Sequence, residues 1–185
     1  MAFGSKTKTP REYFNQARLY EYAVRALGRR MRTEVELRRL MAQRAEPGEV
    51  GAAAVAAVIA KLKEMHYLDD RSYAETYARL RQQNEKFGER RVRQDLRQKG
   101  VKAELVEEAV EARYGGASEE ALAREHLERK RIPKPTNEKE TARVMRRLVA
   151  AGFKTGTIYK ILRQWDVPEE SLAALDQMDP EAHEE

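Results

Sequence analysis

LRQKGV at residues 96–101 and LVAAGF at residues 148–153 decide the fold. In the first, Gly100 is suited to the left-handed conformation that ends a helix, and Val101 falls where an apolar contact back to Leu96 completes a Schellman stop. Gly152, Phe153 and Leu148 hold the same relation 52 residues later. Each stop is followed by a short helical pattern, 102–114 in one case and 155–165 in the other. A helix stop that recurs with its following helix is a repeat signal.

Outward from these stops the apolar period is helical throughout. Tyr13, Phe14, Ala17, Tyr20, Val24 and Leu27 follow the 3.6-residue rhythm, as do Val55, Val58, Ile59 and Leu62, and then Ile158, Ile161, Leu162 and Trp165. No alternating strand pattern of useful length occurs. Val106, Ala109 and Val110 lie 51 residues after Val55, Val58 and Ile59. Thr33 with Glu36 and Asn137 with Glu140 have capping-box spacing, and Ser118 precedes two glutamates suited to a helix start. Pro47 and Gly48 mark a loop, and Pro133 and Pro135 mark a break between helices. The expected fold is all-α: an elongated tandem array of three three-helix repeats at 11–68, 69–116 and 118–166, with an acidic tail at 167–185.

The net charge of +5 hides a division. From Asp166 to Glu185 there are eight acids and no Lys or Arg, so residues 1–165 carry 36 basic against 23 acidic residues, a net of +13. A basic body with an acidic tail suggests a polyanionic partner, with the tail solubilising the body or competing for the site. The basic residues gather on the middle helix of each unit: Arg38 and Arg39, then Arg90, Arg91, Arg93, Arg97 and Lys99, then Arg143, Arg146 and Arg147. Within 88–99 only Val92 and Leu96 can face inward, and Arg90, Arg93 and Arg97 form one stripe beside them. Glu89 and Asp95 are too few to pair with all of these cations. The excess points to a long polyanionic ligand contacted several times rather than to a merely solvated face.

The chemistry of catalysis is sparse. His66, His126 and His183 are far apart in sequence, and neither a GxxxxGK[ST] loop nor a GxGxxG occurs. HYLDD at residues 66–70 has the look of a metal site, but capping is simpler: an aspartate oxygen, from Asp69 or Asp70, accepts from the helix beginning near Arg71, with Tyr67 and Leu68 as apolar plugs before it. No metal, no cofactor and no enzymatic activity are expected. The absence of cysteine fits a reducing cytosol. The opening MAFGSKTKTP reads as neither signal peptide nor anchor, and no run is apolar enough for a membrane span, so a cytoplasmic protein is expected. Aromatic residues do not interleave with the basic stripe as base stacking requires. The 138–165 hairpin, with Lys154, Lys160, Arg163 and Gln164 outward on its second helix, faintly resembles a helix-turn-helix.

KEMHYLDDRSYAETYARLR at 63–81 and FGERRVRQDLRQKGVKAELVEEAV at 87–110 resemble the RecX family of bacterial recombinase regulators, with a softer match in VRALGRRMRTEVELRRLM. The likeness extends over about residues 13–165 and is most specific at 64–110. His66 stands where that family usually has a glycine, and Glu89 where a proline often follows Gly88. The resemblance implies a modular array of three-helix units lying along a RecA filament on single- or double-stranded DNA, and a monomer is expected. It would damp the recombinase and co-protease activities of RecA in DNA repair and the SOS response. The rival expectation is a general or sequence-specific DNA-binding helical protein acting without RecA.

Overall fold

A computed structural model describes residues 12–165, 167 and 168. Among them every regular element is helical: α1 (Gln16–Arg29), α2 (Glu34–Ala42), α3 (Glu49–Glu64), α4 (Asp70–Leu80), α5 (Glu89–Gln98), α6 (Ala103–Tyr114), α7 (Glu119–Arg129), α8 (Glu138–Ala150) and α9 (Thr155–Gln164). The all-α reading holds. No helix among the described residues is long and apolar enough to cross a membrane. The acidic tail lies outside the described residues except for Val167 and Pro168.

The chain divides into two compact units, 1–70 and 71–185. In the first, α1 and α2 pack on α3 around Leu19, Ala23, Leu37, Met41, Val58 and Leu62. Polar side chains fix where its helices start. The Asn15 side chain accepts from the Arg18 N–H at 3.0 Å. Thr33 and Glu36 form the full capping box, the Thr33 hydroxyl accepting from the Glu36 N–H and the Glu36 carboxylate from the Thr33 N–H. Such a cap is worth about 1 kcal/mol.

The second unit is a single core. Val92 and Leu96 of α5, Val106 and Val110 of α6, Leu148 of α8 and Ile158, Ile161 and Leu162 of α9 are all buried in one cluster, joined by Phe153. The sequence period is visible in it. Val55, Val58 and Ile59 are buried in α3, Val106, Ala109 and Val110 in α6, and Ile158, Ile161 and Leu162 in α9, at intervals of 51 and 52 residues. The third helix of each set of three thus carries the same inward triad. α5 packs on α6, and α7 and α8 pack on α9.

The two glycine stops form as read. Gly100 takes φ +80° and Gly152 φ +89°, with Val101 N–H reaching the Leu96 carbonyl and Phe153 N–H the Leu148 carbonyl, each at 3.2 Å. The same turn recurs without glycine. His66 (φ +57°) follows α3 with Tyr67 N–H bonded to Leu62 O, and Arg131 (φ +51°) follows α7 with Ile132 N–H bonded to Leu127 O. Propensity gives no warning of these two, because a left-handed non-glycine residue is locally disfavoured and is held only by the surrounding contacts.

Two details differ from the sequence expectation. A π-helical turn at Arg81–Glu85 continues α4 and ends at Lys86, which is left-handed at φ +55°. It carries Gln82 inward, where Nε2 donates to the Arg113 carbonyl at 3.3 Å. Of the two plugs before α4, Leu68 is buried but Tyr67 is 56% exposed. Tyr67 N–H closes the turn after α3, and that backbone role leaves the side chain outside the core.

Candidate functional site

The basic residues singled out from the sequence sort into two groups according to what the fold brings beside them. On α5, Arg93 is half-buried, 2.8 Å from Glu107 and 3.2 Å from Glu89. Arg97 reaches the other oxygen of Glu107, also at 2.8 Å. Glu107 belongs to α6, which turns back on α5 after the Gly100 stop, so the expectation that only Glu89 and Asp95 were on hand is corrected. The acid-rich start of α6 was the available signal, since a helix returning from a tight stop must lay one face on its predecessor. Burial would push the Glu107 carboxyl up, but Arg93 and Arg97 outweigh it and hold it below the usual glutamate value.

Glu89 is tied on both sides. Lys154, at the start of α9, stands 2.9 Å from it, opposite Arg93. Burial again opposes, and the two cations again prevail, lowering the Glu89 carboxyl. Arg91 lies half-buried against α8, with its Nε 2.9 Å from Asp95 and an Nη donating to the Ala150 carbonyl at 3.4 Å. Lys99 sits over the Tyr77 ring at 5.6 Å, while Tyr77 donates its hydroxyl proton to Asp95 at 2.9 Å. Arg90 is exposed at the edge of this network. Much of the α5 stripe is therefore committed to intramolecular ion pairs.

The cations of α8 are placed differently. Arg143, Arg146 and Arg147 are all exposed at i, i+3 and i+4, on the face opposite Val144, Met145 and Leu148. Arg146 and Arg147 make no ion pair among the described residues, and Arg143 acts on Glu140, whose carboxylate is itself held by Thr136. On α2, Arg38 pairs with Glu34 at 2.7 Å, whereas Arg39 is exposed and makes no ion pair among the described residues. Charge not matched within the molecule is what a polyanion can use, and among the singled-out cations it is found on α8 and at Arg39.

Helix α9 is poorly available for groove reading. Glu119 accepts from the Lys154 N–H at 3.0 Å and from the Thr157 hydroxyl. Glu120 holds Lys160 at 2.7 Å and Gln164 at 3.2 Å. Both acids start α7, so Lys154, Lys160 and Gln164 of the hairpin are bound to neighbouring helices. Arg163 stays exposed.

The HYLDD segment also reaches a helix other than the one it begins. Asp70 opens α4 and its Oδ1 accepts from the Glu34 N–H, at the start of α2, at 2.8 Å. Glu34 in turn holds Arg38 and Lys63, so Asp70 borders a polar junction of the first unit. Burial raises the Asp70 carboxyl above its usual value, more than the Glu34 N–H lowers it. Among the described residues no group of His, Asp and Glu is close enough to hold a metal ion.

Residues 69–110, which span α4 to α6, match the family model of the RecX second three-helix domain. The regulatory protein RecX of Mycolicibacterium vanbaalenii is 32% identical over 153 residues, covering 81% of this chain and 80% of that protein. That of Salmonella typhimurium is 36% identical over 156 residues, covering 80% and 92%. The fold is shared with a crystal structure of regulatory protein RecX at a TM-score of 0.65 and 23% identity, over 80% of this chain and 71% of the other. RecX from Lactobacillus salivarius superposes at 0.59 and 20% identity, over 82% and 96%. The paired α5–α6 hairpin, its glycine stop and these relatives agree, and the chain belongs to the RecX family of regulatory proteins.

Proposed function

We propose that this chain binds the RecA filament assembled on DNA and damps its recombinase and co-protease activities, acting as a monomer in the cytoplasm and catalysing no reaction itself. The observation that carries the reading is the α8 face: three exposed arginines, two of them without an ion pair among the described residues, on a helix whose other side is locked into the core. The division at 11–68, 69–116 and 118–166 would give each unit a basic middle helix, α2, α5 and α8, of which α2 and α8 keep cations for a polyanion. Polyanion contact of this kind supplies affinity and register without reading bases. The network on α5 supports the same reading indirectly, by fixing the angle between helices while α8 and Arg39 make the contact.

Binding to single-stranded DNA is to be measured with and without pre-assembled RecA and a nucleotide that holds the filament, at matched salt, together with RecA ATPase. Tighter binding to the filament with lowered ATPase is expected. Binding to naked DNA alone, with ATPase untouched, would overturn the proposal in favour of a DNA-binding protein that acts without RecA.

A further inference from the structure

Two clefts open on the α7–α8 side of the second unit, and both touch Ile132. One, of about 420 Å³, lies between α7 and α8, with Phe87 and His126 as its aromatic wall and Lys130 and Arg147 at its edge. The other, of about 370 Å³, is lined by Leu127, Ile132, Pro133 and Trp165, with Arg124, Arg131 and one acid, Glu128, around it. Arg124 is paired with Glu120 and Lys130 with Glu85, but Arg131 and Arg147 make no ion pair among the described residues. The lining of the two clefts is thus largely apolar, with Arg131 and Arg147 as cations unpaired among the described residues and Glu128 as the one acid. That pattern fits an acidic segment carrying aliphatic anchors.

Such a segment begins at the mouth of the second cleft. Trp165 lines it, Val167 is buried with its N–H on the Leu162 carbonyl at 3.3 Å, and the next residues are EESLAALDQMDPEAHEE, 169–185. These 17 residues hold seven acids, no Lys or Arg, and Leu172, Leu175 and Met178 at three-residue spacing. Fully extended they reach about 55 Å, more than enough to pass over both clefts. A tethered segment acts at millimolar effective concentration, so even a weak contact is occupied. We infer that residues 169–185 are the occupant of the Ile132 clefts, with Leu172 and Leu175 in the apolar interior and the acids on Arg131 and Arg147. The segment then covers one end of the basic α8 face and competes with a polyanion for Arg147.

The inference goes beyond the proposed function, and its test uses neither DNA nor RecA, so the two can fail separately. Trp165 is the only tryptophan, which makes its fluorescence a direct reporter of the cleft. Acrylamide quenching is to be measured on the full chain, on Leu172→Ser/Leu175→Ser, which keeps every charge, and on Arg131→Glu. Both variants are expected to raise the quenching constant by about twofold, as an aromatic wall loses its cover. Equal quenching in all three proteins would overturn the inference. So would protection that fades on dilution from about 100 to about 1 μM, which would assign the occupant to a second copy, because a tethered contact does not depend on concentration.

Discussion

Gly88 and Gly152 meet backbone to backbone: a Cβ on Gly88 would stand 2.2 Å from the Gly152 carbonyl oxygen, and one on Gly152 would stand 2.3 Å from the Arg91 nitrogen. The contact is closed by a hydrogen bond from Gly88 N–H to the Ala151 carbonyl at 2.9 Å. It joins the start of α5 to the end of α8. The two glycines are needed for different reasons. Gly88 has an ordinary φ of −69° and is constrained by space alone, whereas Gly152 carries both the crowding and a φ of +89°. Alanine at Gly152 should cost on the order of 3 kcal/mol, and alanine at Gly88 about 1–3 kcal/mol, measured by urea unfolding. A Gly152→Ala chain as stable as the parent would refute the close approach.

The arginines should separate into two classes. Arg146→Ala and Arg147→Ala are each expected to reduce the salt slope of filament binding by about one unit while leaving the melting temperature unchanged. Arg93→Ala should leave the slope alone and destabilise by about 1 kcal/mol, since it removes one of the two cations on each of Glu89 and Glu107. The reverse pattern would move the docking face to α5.

Asp70 offers a test in which charge and cap are separable. Its carboxylate caps α2 across 36 residues of sequence, yet burial raises its pKa. Because the folded value lies above the unfolded one, ionisation works against the fold: the favourable contribution is complete below the unfolded pKa of about 3.9 and is lost as pH rises through the folded value. Asp70→Asn keeps an oxygen for the Glu34 N–H and removes the charge, so it should match or exceed the parent in stability at pH 7. Asp70→Ala removes the cap and should lose about 1 kcal/mol. Thermal melts of the two variants side by side decide it.

His126 should make the fold acid-sensitive. It is buried between Phe87 and Phe153, with ring Nδ1 3.0 Å from the Glu85 carbonyl, which requires the proton on Nδ1. Burial pushes its pKa below the ordinary 6.5, and Lys130 adds to this while Glu85 opposes it. A lowered folded pKa means that the stability is present above about 6.5 and is lost as pH falls through the folded value. The parent should therefore lose stability between pH 7 and 5, and His126→Gln should lose less. Parallel pH profiles for both proteins would contradict the assignment.

His66 carries an avoidable strain. It ends α3 at φ +57°, where an L side chain costs roughly 1 kcal/mol and glycine does not. His66→Gly should raise stability by about that amount in urea unfolding. A loss instead would mean that the imidazole, rather than the turn, is what the position requires.

The helical core was legible because it is periodic: the triads ending at Ile59, Val110 and Leu162 each mark an inward face that no other arrangement of the chain would bury. The stops at Gly100 and Gly152 were legible because glycine announces a left-handed turn. The matching stops at His66 and Arg131 were not, since nothing local favours them. Nor was Glu107 visible as the partner of Arg93 and Arg97, or Asp70 as the cap of α2. In each case the residue acts on a helix other than its own, and the pairing exists only once the helices are packed. The excess charge of the α5 stripe was real as composition, but neutralisation across helices decides how much of it faces outward.

The π-helical turn at Arg81–Glu85 holds one residue more than an α-helical turn of the same rise would. A residue added to a regular helix rotates everything beyond it by about 100°. Here the surplus is absorbed before Lys86, so α4 keeps Tyr73, Ala74 and Ala78 inward and α5 begins in its own register. This is the place where a one-residue deletion relaxes the helix to ordinary winding and stays local. The same deletion within α5 would swing Val92 or Leu96 out of the core, so insertions and deletions among related chains should collect at 81–86 and avoid 89–98.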